Sequence, residues 1–258
     1  MKKTTVKQIA DKMTSAQNYT IFIVGDSITE GARATDDDCT YTAVFAKGIA
    51  SHFPTRRVIR YDGVRQQAEN SALLPLRDYG EAICIQDGSE GVLTVIRCGI
   101  GGNTVKRIYN RKGDFIGNPI CEHPDLYIVM AGINDSISAN ADKYATPEEY
   151  GKNLCELYDA LRCGAPDADI IFMTPTYNDD GTSRNSSVSP YAEKMREICK
   201  EKQIPIIDQH SLWMSHLCIG GDNYGQGEWL CGVEGDFCHP SDIGHEAIAN
   251  EMLSRLFE

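Results

Sequence analysis

A chain of 258 residues, 41% hydrophobic and 24% charged, carries enough apolar material for a sizeable core, and its length lies near the upper end of what one core serves. Disorder is excluded on that composition. The formal net charge of -12 argues against nucleic acid or an anionic membrane as partner, because both select clustered Lys and Arg.

Residues 1–20 are polar and lack the apolar run of a signal peptide, and no stretch has the length of a transmembrane helix, so a cytoplasmic protein is expected. The ten cysteines are scattered through apparent strands and helices, which reads as reduced, structural thiols rather than a disulfide frame. Two short cation clusters, Arg56-Arg57 with Arg60 and Lys106-Arg107 with Arg111-Lys112, read as solvated faces.

In chain order, Ile21 to Val24 is an apolar, strand-like run, followed by a helical face of Tyr41, Val44, Phe45 and Ile49. Residues 54–91 exceed what a simple connection needs; within them "RVIRYDG" and "AICIQDG" read as additional antiparallel strands with Asp-Gly turns, an insertion in the basic pattern. Further strand-like runs follow at Leu93 to Ile96, Leu126 to Met130, Ile170 to Met173 and Ile204 to Ile207. Thr146-Pro147-Glu148-Glu149 is a capping box with proline at the first helical position, opening a helix through Leu154, Leu157, Tyr158 and Leu161. Ser189-Pro190 opens another in the same way, with Tyr191, Met195, Ile198 and Cys199 facing inward. A second long stretch, 211–235, carries Trp213, Tyr224 and Trp229, aromatic residues placed to stack on a sugar face or simply to pack. Ser241 or Asp242 caps a last helix whose buried stripe is Ile243, Ala247, Ile248, Met252 and Leu256.

Strands apolar throughout, alternating with helical patterns, indicate βαβ units and a doubly wound parallel sheet in one α/β domain spanning 1–258. In such sheets ligands bind beyond the carboxyl ends of the strands. Four polar stretches fall there: Gly25-Asp26-Ser27-Ile28-Thr29, "RCGIGGNT" from Arg97 to Thr104, Ala131-Gly132-Ile133-Asn134-Asp135, and "GDFCHPSDIGH" from Gly235 to His245.

Taken together and in this order, these blocks resemble the SGNH, or GDSL-type, serine hydrolases from about residue 20 to the C-terminus. Jointly with the strand-helix alternation, the resemblance implies a flavodoxin-like three-layer α/β/α sandwich around a central, mostly parallel five-stranded sheet. It implies Ser27 as nucleophile, His239 as general base and Asp236 as orienter of the imidazole. An oxyanion hole from the backbone N–H groups of Ser27 and Gly102 and the side-chain amide of Asn134 is implied as well. Asn103 stands where the family often has an acidic residue.

Elementary chemistry agrees with those roles. A serine hydroxyl attacks an acyl carbon only when a base takes its proton, an imidazole does so near neutral pH, and preorganised donors stabilise the oxyanion that develops. Alone, Ser27 reads as a helix cap, Gly102 as a turn glycine and Asn134 as a loop residue; their joint placement carries the inference. Asp26 and Asp135 are expected to bond backbone amides and hold their loops in shape, Asp242 to start a helix, and His245 to pack inside it. His52, His123, His210 and His216 accompany no motif.

The expected function is therefore a serine esterase that cleaves short acyl groups, such as O-acetyl groups on a carbohydrate, through an acyl-serine intermediate. Its partner is a small-molecule ester, and it needs no cofactor. Lysophospholipase, platelet-activating-factor-acetylhydrolase-like and thioesterase activities share this chemistry. A non-catalytic carbohydrate-binding module is the alternative of another class. Cys238-His239 and His216-Leu217-Cys218 could be imagined as metal ligands but lack a second tight ligand pair, so no metal site is expected.

Overall fold

The computed structural model describes residues 4–65, 76–177, 187–220, 229–233, 236 and 238–258. In chain order the elements are helix α1 (Val6–Ser15), strand β1 (Asn18–Gly25), the single turn α2 (Ser27–Glu30), α3 (Tyr41–His52), β2 (Arg57–Asp62), β3 (Val64–Arg65), β4 (Leu76–Asp78), β5 (Ile83–Gln86), β6 (Val92–Gly99), α4 (Val105–Asn110), β7 (Leu126–Met130), α5 (Pro147–Gly164), β8 (Asp169–Met173), α6 (Ser189–Lys202), β9 (Ile206–Ile207), α7 (Gln209–Gly220) and α8 (Asp242–Phe257).

The main sheet has the order β5-β2-β6-β1-β7-β8-β9, and all its pairs are parallel except β2 with β5. It has seven strands rather than the five read from apolar runs. The additional pair, β2 and β5, comes from residues 54–91, where "RVIRYDG" and "AICIQDG" suggested strands. β2 reads Arg-Val-Ile-Arg-Tyr-Asp, with the buried Arg60 paired to carboxylates inside it, so charged residues break the apolar run that would have announced it. β3 and β4 form a separate two-stranded ribbon.

Period-2 alternation along β1 builds the three layers. Ile21 and Ile23 face a core completed by α1, α3, α7 and α8, whereas Phe22 and Val24 face a second core completed by α4, α5 and α6. The polar N-terminal segment contributes to the first core: a capping box between Thr5 and Gln8 starts α1, and Ile9 and Met13, four apart, are fully buried on one face. Thr146 and Glu149 form the expected capping box of α5, and Ser241 caps α8.

Several side chains depart from their sequence-based placement. Arg56, Arg60 and Arg111 are buried rather than solvated. Arg56 donates to the carbonyls of Met13, Ala16 and Gln17, and Arg60 pairs with Asp38 and Asp62. Trp213 lies on α7, fully buried, with Trp229 edge-on at 5.2 Å and His216 stacked on Trp229 at 3.7 Å. These two tryptophans pack against protein. Ser189 does not cap α6; its hydroxyl meets Nε2 of the buried His210 at 3.2 Å. Ile243 is 50% exposed, outside the stripe assigned to α8. Tyr224 and Phe237 lie outside the described residues.

Candidate active site

Strand β1 ends at Gly25, in register with Gly99 of β6 and Met130 of β7. Three strands thus stop level, and three of the four sequence blocks leave the sheet side by side. Successive strands depart from β1 toward β6 on one side and β7 on the other, which makes this the crevice that open α/β sheets offer to ligands.

At the end of β1 the Asp26 side chain caps α2, its Oδ1 accepting the Ile28 N–H at 3.0 Å, so Ser27 becomes the first residue of the turn. Gly99 must lack a side chain, because a Cβ there would collide with the backbone of Thr29 and Glu30. The close approach of β6 to this turn fixes the height of Ser27 above the sheet.

His239 reaches Ser27 from the loop before α8. Its Nε2 lies 2.8 Å from Ser27 Oγ, and its Nδ1 lies 2.9 Å from both carboxylate oxygens of Asp236. A proton on Nδ1 satisfies the carboxylate and leaves the Nε2 lone pair facing the hydroxyl. Asp236 Oδ1 also accepts the backbone N–H of His239 at 3.2 Å, and Oδ2 accepts Nε–H of Arg33 at 2.8 Å. Burial works against both charges. The hydrogen bonds from His239 and Arg33 nevertheless hold Asp236 well below the usual carboxylate range, and the bond to Asp236, with Cys238 alongside, raises the His239 imidazole above its ordinary value.

In the loop after β6, Gly102 has φ of +75°, the left-handed region that favours glycine. The Gly101 N–H is taken by Glu30 Oε2 at 2.8 Å, which anchors that loop to α2. Asn134 donates from Nδ2 to the Asn103 carbonyl at 3.1 Å and accepts from Lys143 Nζ at Oδ1 at 3.3 Å, so both ends of its amide are oriented. Asp135 accepts the Val105 N–H at 3.2 and 3.3 Å, tying the third block to the start of α4. Burial raises Asp26 to about 6 and Asp135 to about 7.

Ser27, Gly102, Asn134 and His239 line one cleft of about 390 Å3, walled on the β7 side by Ile133 and Ile137. All five sequence-derived candidates therefore meet at one sheet edge. His245 does not join them. It is buried in α8, with Nδ1 accepting the Tyr41 N–H and Nε2–H donating to the Ala32 carbonyl, both at 3.3 Å.

Three participants carried no readable signal. Arg33, positioned by a left-handed backbone (φ +70°) just after the α2 cap, and Lys143 are lone cations in polar loops. Arg111 was hidden within an apparent surface cluster. Among the described residues no helix is long and apolar enough to cross a membrane, and the described cysteines form no disulfide.

No curated protein matches the chain. Among solved structures it is similar to a mutant of Axe2, an acetyl-xylooligosaccharide esterase from Geobacillus stearothermophilus, at 20% identity and TM-score 0.62, covering 93% of this chain and 94% of that one. It is similar to the acetyl xylan esterase AlAXEase at 18% identity and TM-score 0.64, covering 92% and 100%. A two-domain esterase active on acetylated mannans matches at 16% identity and TM-score 0.64, covering 98% of this chain and 53% of that one. At these identities the likeness is one of fold. The sequence model of the GDSL-like lipase/acylhydrolases matches residues 21–252, nearly the whole of the sheet and all four blocks that edge the cleft: the chain belongs to that family and is a carboxylic ester hydrolase.

Proposed function

We propose that the protein removes short acyl groups, acetyl foremost, from the hydroxyls of a carbohydrate by a double displacement through an acyl-Ser27 intermediate, and that the whole chain is one domain working in the cytoplasm. The observation that carries this reading is the 2.8 Å contact of Ser27 Oγ with His239 Nε2, backed by Asp236 at 2.9 Å on the other ring nitrogen.

In the first half-reaction Nε2 takes the hydroxyl proton as Oγ attacks the ester carbonyl, and Asp236 stabilises the imidazolium that results. The tetrahedral oxyanion is received by the backbone N–H groups of Ser27 and Gly102 and by Asn134. The amide of Asn134 has two Nδ2 hydrogens, of which Asn103 takes one, so the other serves the substrate. His239 then returns its proton to the departing alcohol oxygen. In the second half-reaction it deprotonates a water that attacks the acyl carbon, and the carboxylic acid leaves as Ser27 is restored.

A preference for short acyl groups is supported by the size of the cleft, whose 390 Å3 lies at the low end of the range for small-molecule sites. The carbohydrate is supported by the acetyl xylan and acetylated-mannan esterases that share the fold. Hydrolysis of p-nitrophenyl esters from acetate to palmitate, followed by acetate release from acetylated xylo- and manno-oligosaccharides, tests both parts. Cleavage concentrated on acetate and lost in Ser27→Ala is the expected result. A maximum at long chains overturns the acyl assignment, and turnover surviving in Ser27→Ala overturns the nucleophile.

A further inference from the structure

The fourth block brings a thiol to the same point as the carboxylate and the imidazole. Cys238 is buried, at 3% exposure, yet lines the cleft beside Ser27 and His239. Its Sγ lies 3.7 Å from His239 Nδ1 and 3.8 Å from Asp236 Oδ1, and that nitrogen and oxygen are 2.9 Å apart. One donor atom from each of the three residues thus falls within 4.8 Å of the others.

These separations can be compared with a tetrahedral metal. Ordinary Zn–S, Zn–N and Zn–O lengths place sulfur about 3.6 Å from either lighter donor and nitrogen about 3.4 Å from oxygen. The two sulfur edges already match within a few tenths of an ångström. The N–O edge is held short by a hydrogen bond and must open by about 0.5 Å once a cation replaces the proton there.

We propose that Asp236, Cys238 and His239 form a binding site for a thiophilic divalent cation, zinc or cadmium, whose occupancy switches the esterase off. The cation binds Oδ1, Sγ and Nδ1, and the thiol and ring-nitrogen protons pass to solvent. A thiolate and a carboxylate then neutralise its two charges. Oδ2 stays with Arg33, at 2.8 Å, and the partly buried Cys231, whose thiol faces the same carboxylate, or a water completes the shell. With Nδ1 metallated, Asp236 no longer stabilises an imidazolium by hydrogen bonding, and the cation itself disfavours a second positive charge on the ring. His239 therefore loses its power to take the Ser27 proton.

The binding half of this inference stands on geometry alone, whereas the inhibition half rests on the proposed function. The test keeps them apart by titrating the chelator-treated full chain with CdCl2 while following the thiolate-to-cadmium charge-transfer absorbance, and with ZnCl2 while following p-nitrophenyl acetate hydrolysis. Each variant is scored against its own metal-free rate. The expected result is a high-affinity band that saturates at one equivalent, persists in Ser27→Ala and is lost in Cys238→Ala. Zinc should inhibit in the same range, with a half-inhibitory concentration raised more than about tenfold in Cys238→Ala and in the near-isosteric Cys238→Ser, the lower bound set by losses of even outer-shell partners. A high-affinity band that survives both substitutions, or the absence of one in the parent, overturns the site. Binding as expected without zinc inhibition of an active enzyme overturns the switch.

Discussion

Arg111 Nε donates to Asn103 Oδ1 at 2.7 Å, and through that contact a buried cation on one side of the sheet edge reaches the loop that faces Ser27. The same guanidinium donates from Nη2 to the carbonyls of Gly25 and Cys98 at 3.0 Å and pairs from Nη1 with Asp114 at 3.3 Å. It therefore ties the last residues of β1 and β6 to the residue whose carbonyl holds the Asn134 amide. Arg111→Leu takes the guanidinium away from the buried Asp114 carboxylate, from Asn103 and from the Gly25 and Cys98 carbonyls, and breaking that buried pair is expected to cost about 3–5 kcal/mol. Arg111→Lys keeps the charge and loses the fork. It should fold less stably and show a lower kcat, as urea unfolding and steady-state kinetics can determine; a Lys variant with parental kcat would remove Arg111 from the support of the site.

Asn134→Ala removes a donor that matters once charge has developed on the substrate oxygen. The expected loss is about 100- to 1000-fold in kcat, or about 3 kcal/mol, with little change in KM. An effect confined to KM would mean that Asn134 binds the ground state instead. Asp236→Asn keeps the shape but permits the wrong tautomer, and a fall of about 10,000-fold in kcat is expected by analogy with serine proteases.

The neutral state of His245 is built into the fold. Its Nδ1 accepts the N–H of Tyr41, the first residue of α3, so a proton there would meet both an N–H and the positive end of a helix. Burial is the main cause that lowers this imidazole to about 4; the Ala32 carbonyl and Asp242 act to raise it, His239 and Arg97 to lower it further, and the Tyr41 ring stacks on its face. Since the folded value lies below the unfolded one, the stability it confers is fully present above about pH 6.5 and is lost as pH falls toward 4. The loss amounts to about 3 kcal/mol. Comparing His245→Asn with the parent by urea unfolding from pH 7.5 to 4 should show a gap that closes on acidification; a gap independent of pH would refute the assignment.

Asp135 has the opposite sign. Burial is the main cause that raises it to about 7, with Asp26 adding to the rise and the Val105 N–H and Arg107 opposing it. Its folded value exceeds the unfolded one, so its contribution is fully present below about pH 4 and is lost as pH rises through 7. Asp135→Asn still accepts the Val105 N–H without a charge to bury. Its stability relative to the parent should improve from pH 5 to pH 8, and a decline over that interval would show that the ionised form is the one the fold requires.

The parts of the fold and site that were readable share a local cause. Apolar runs such as Leu126 to Met130 are covered on both faces, and the Thr146 to Glu149 box satisfies its own amides. Three of the four blocks lie just beyond strand ends and the fourth just before α8, so within each block short spacings place the residues that act together. What stayed hidden depends on distant backbone. Nothing near Arg56 reveals the three carbonyls, about forty residues away, that it satisfies, and clustered arginines read as surface until those acceptors are known. Arg33 meets Asp236 across 203 residues, and Trp213 reads as a loop aromatic until α7 is seen to bury it.

The level ends of β1, β6 and β7 also divide the enzyme into parts that can and cannot drift. Ser27 and Gly102 lie just beyond the ends of paired strands in the middle of the sheet, whereas Ile137 and Asn140 sit in the turns between β7 and α5, where their main chain is tied back to Asn134 and their side chains line the cleft. Substitution along that lip should retune which acyl and alcohol groups enter while the reacting atoms keep their places, so it is the natural stretch in which to diversify a library for new ester specificities.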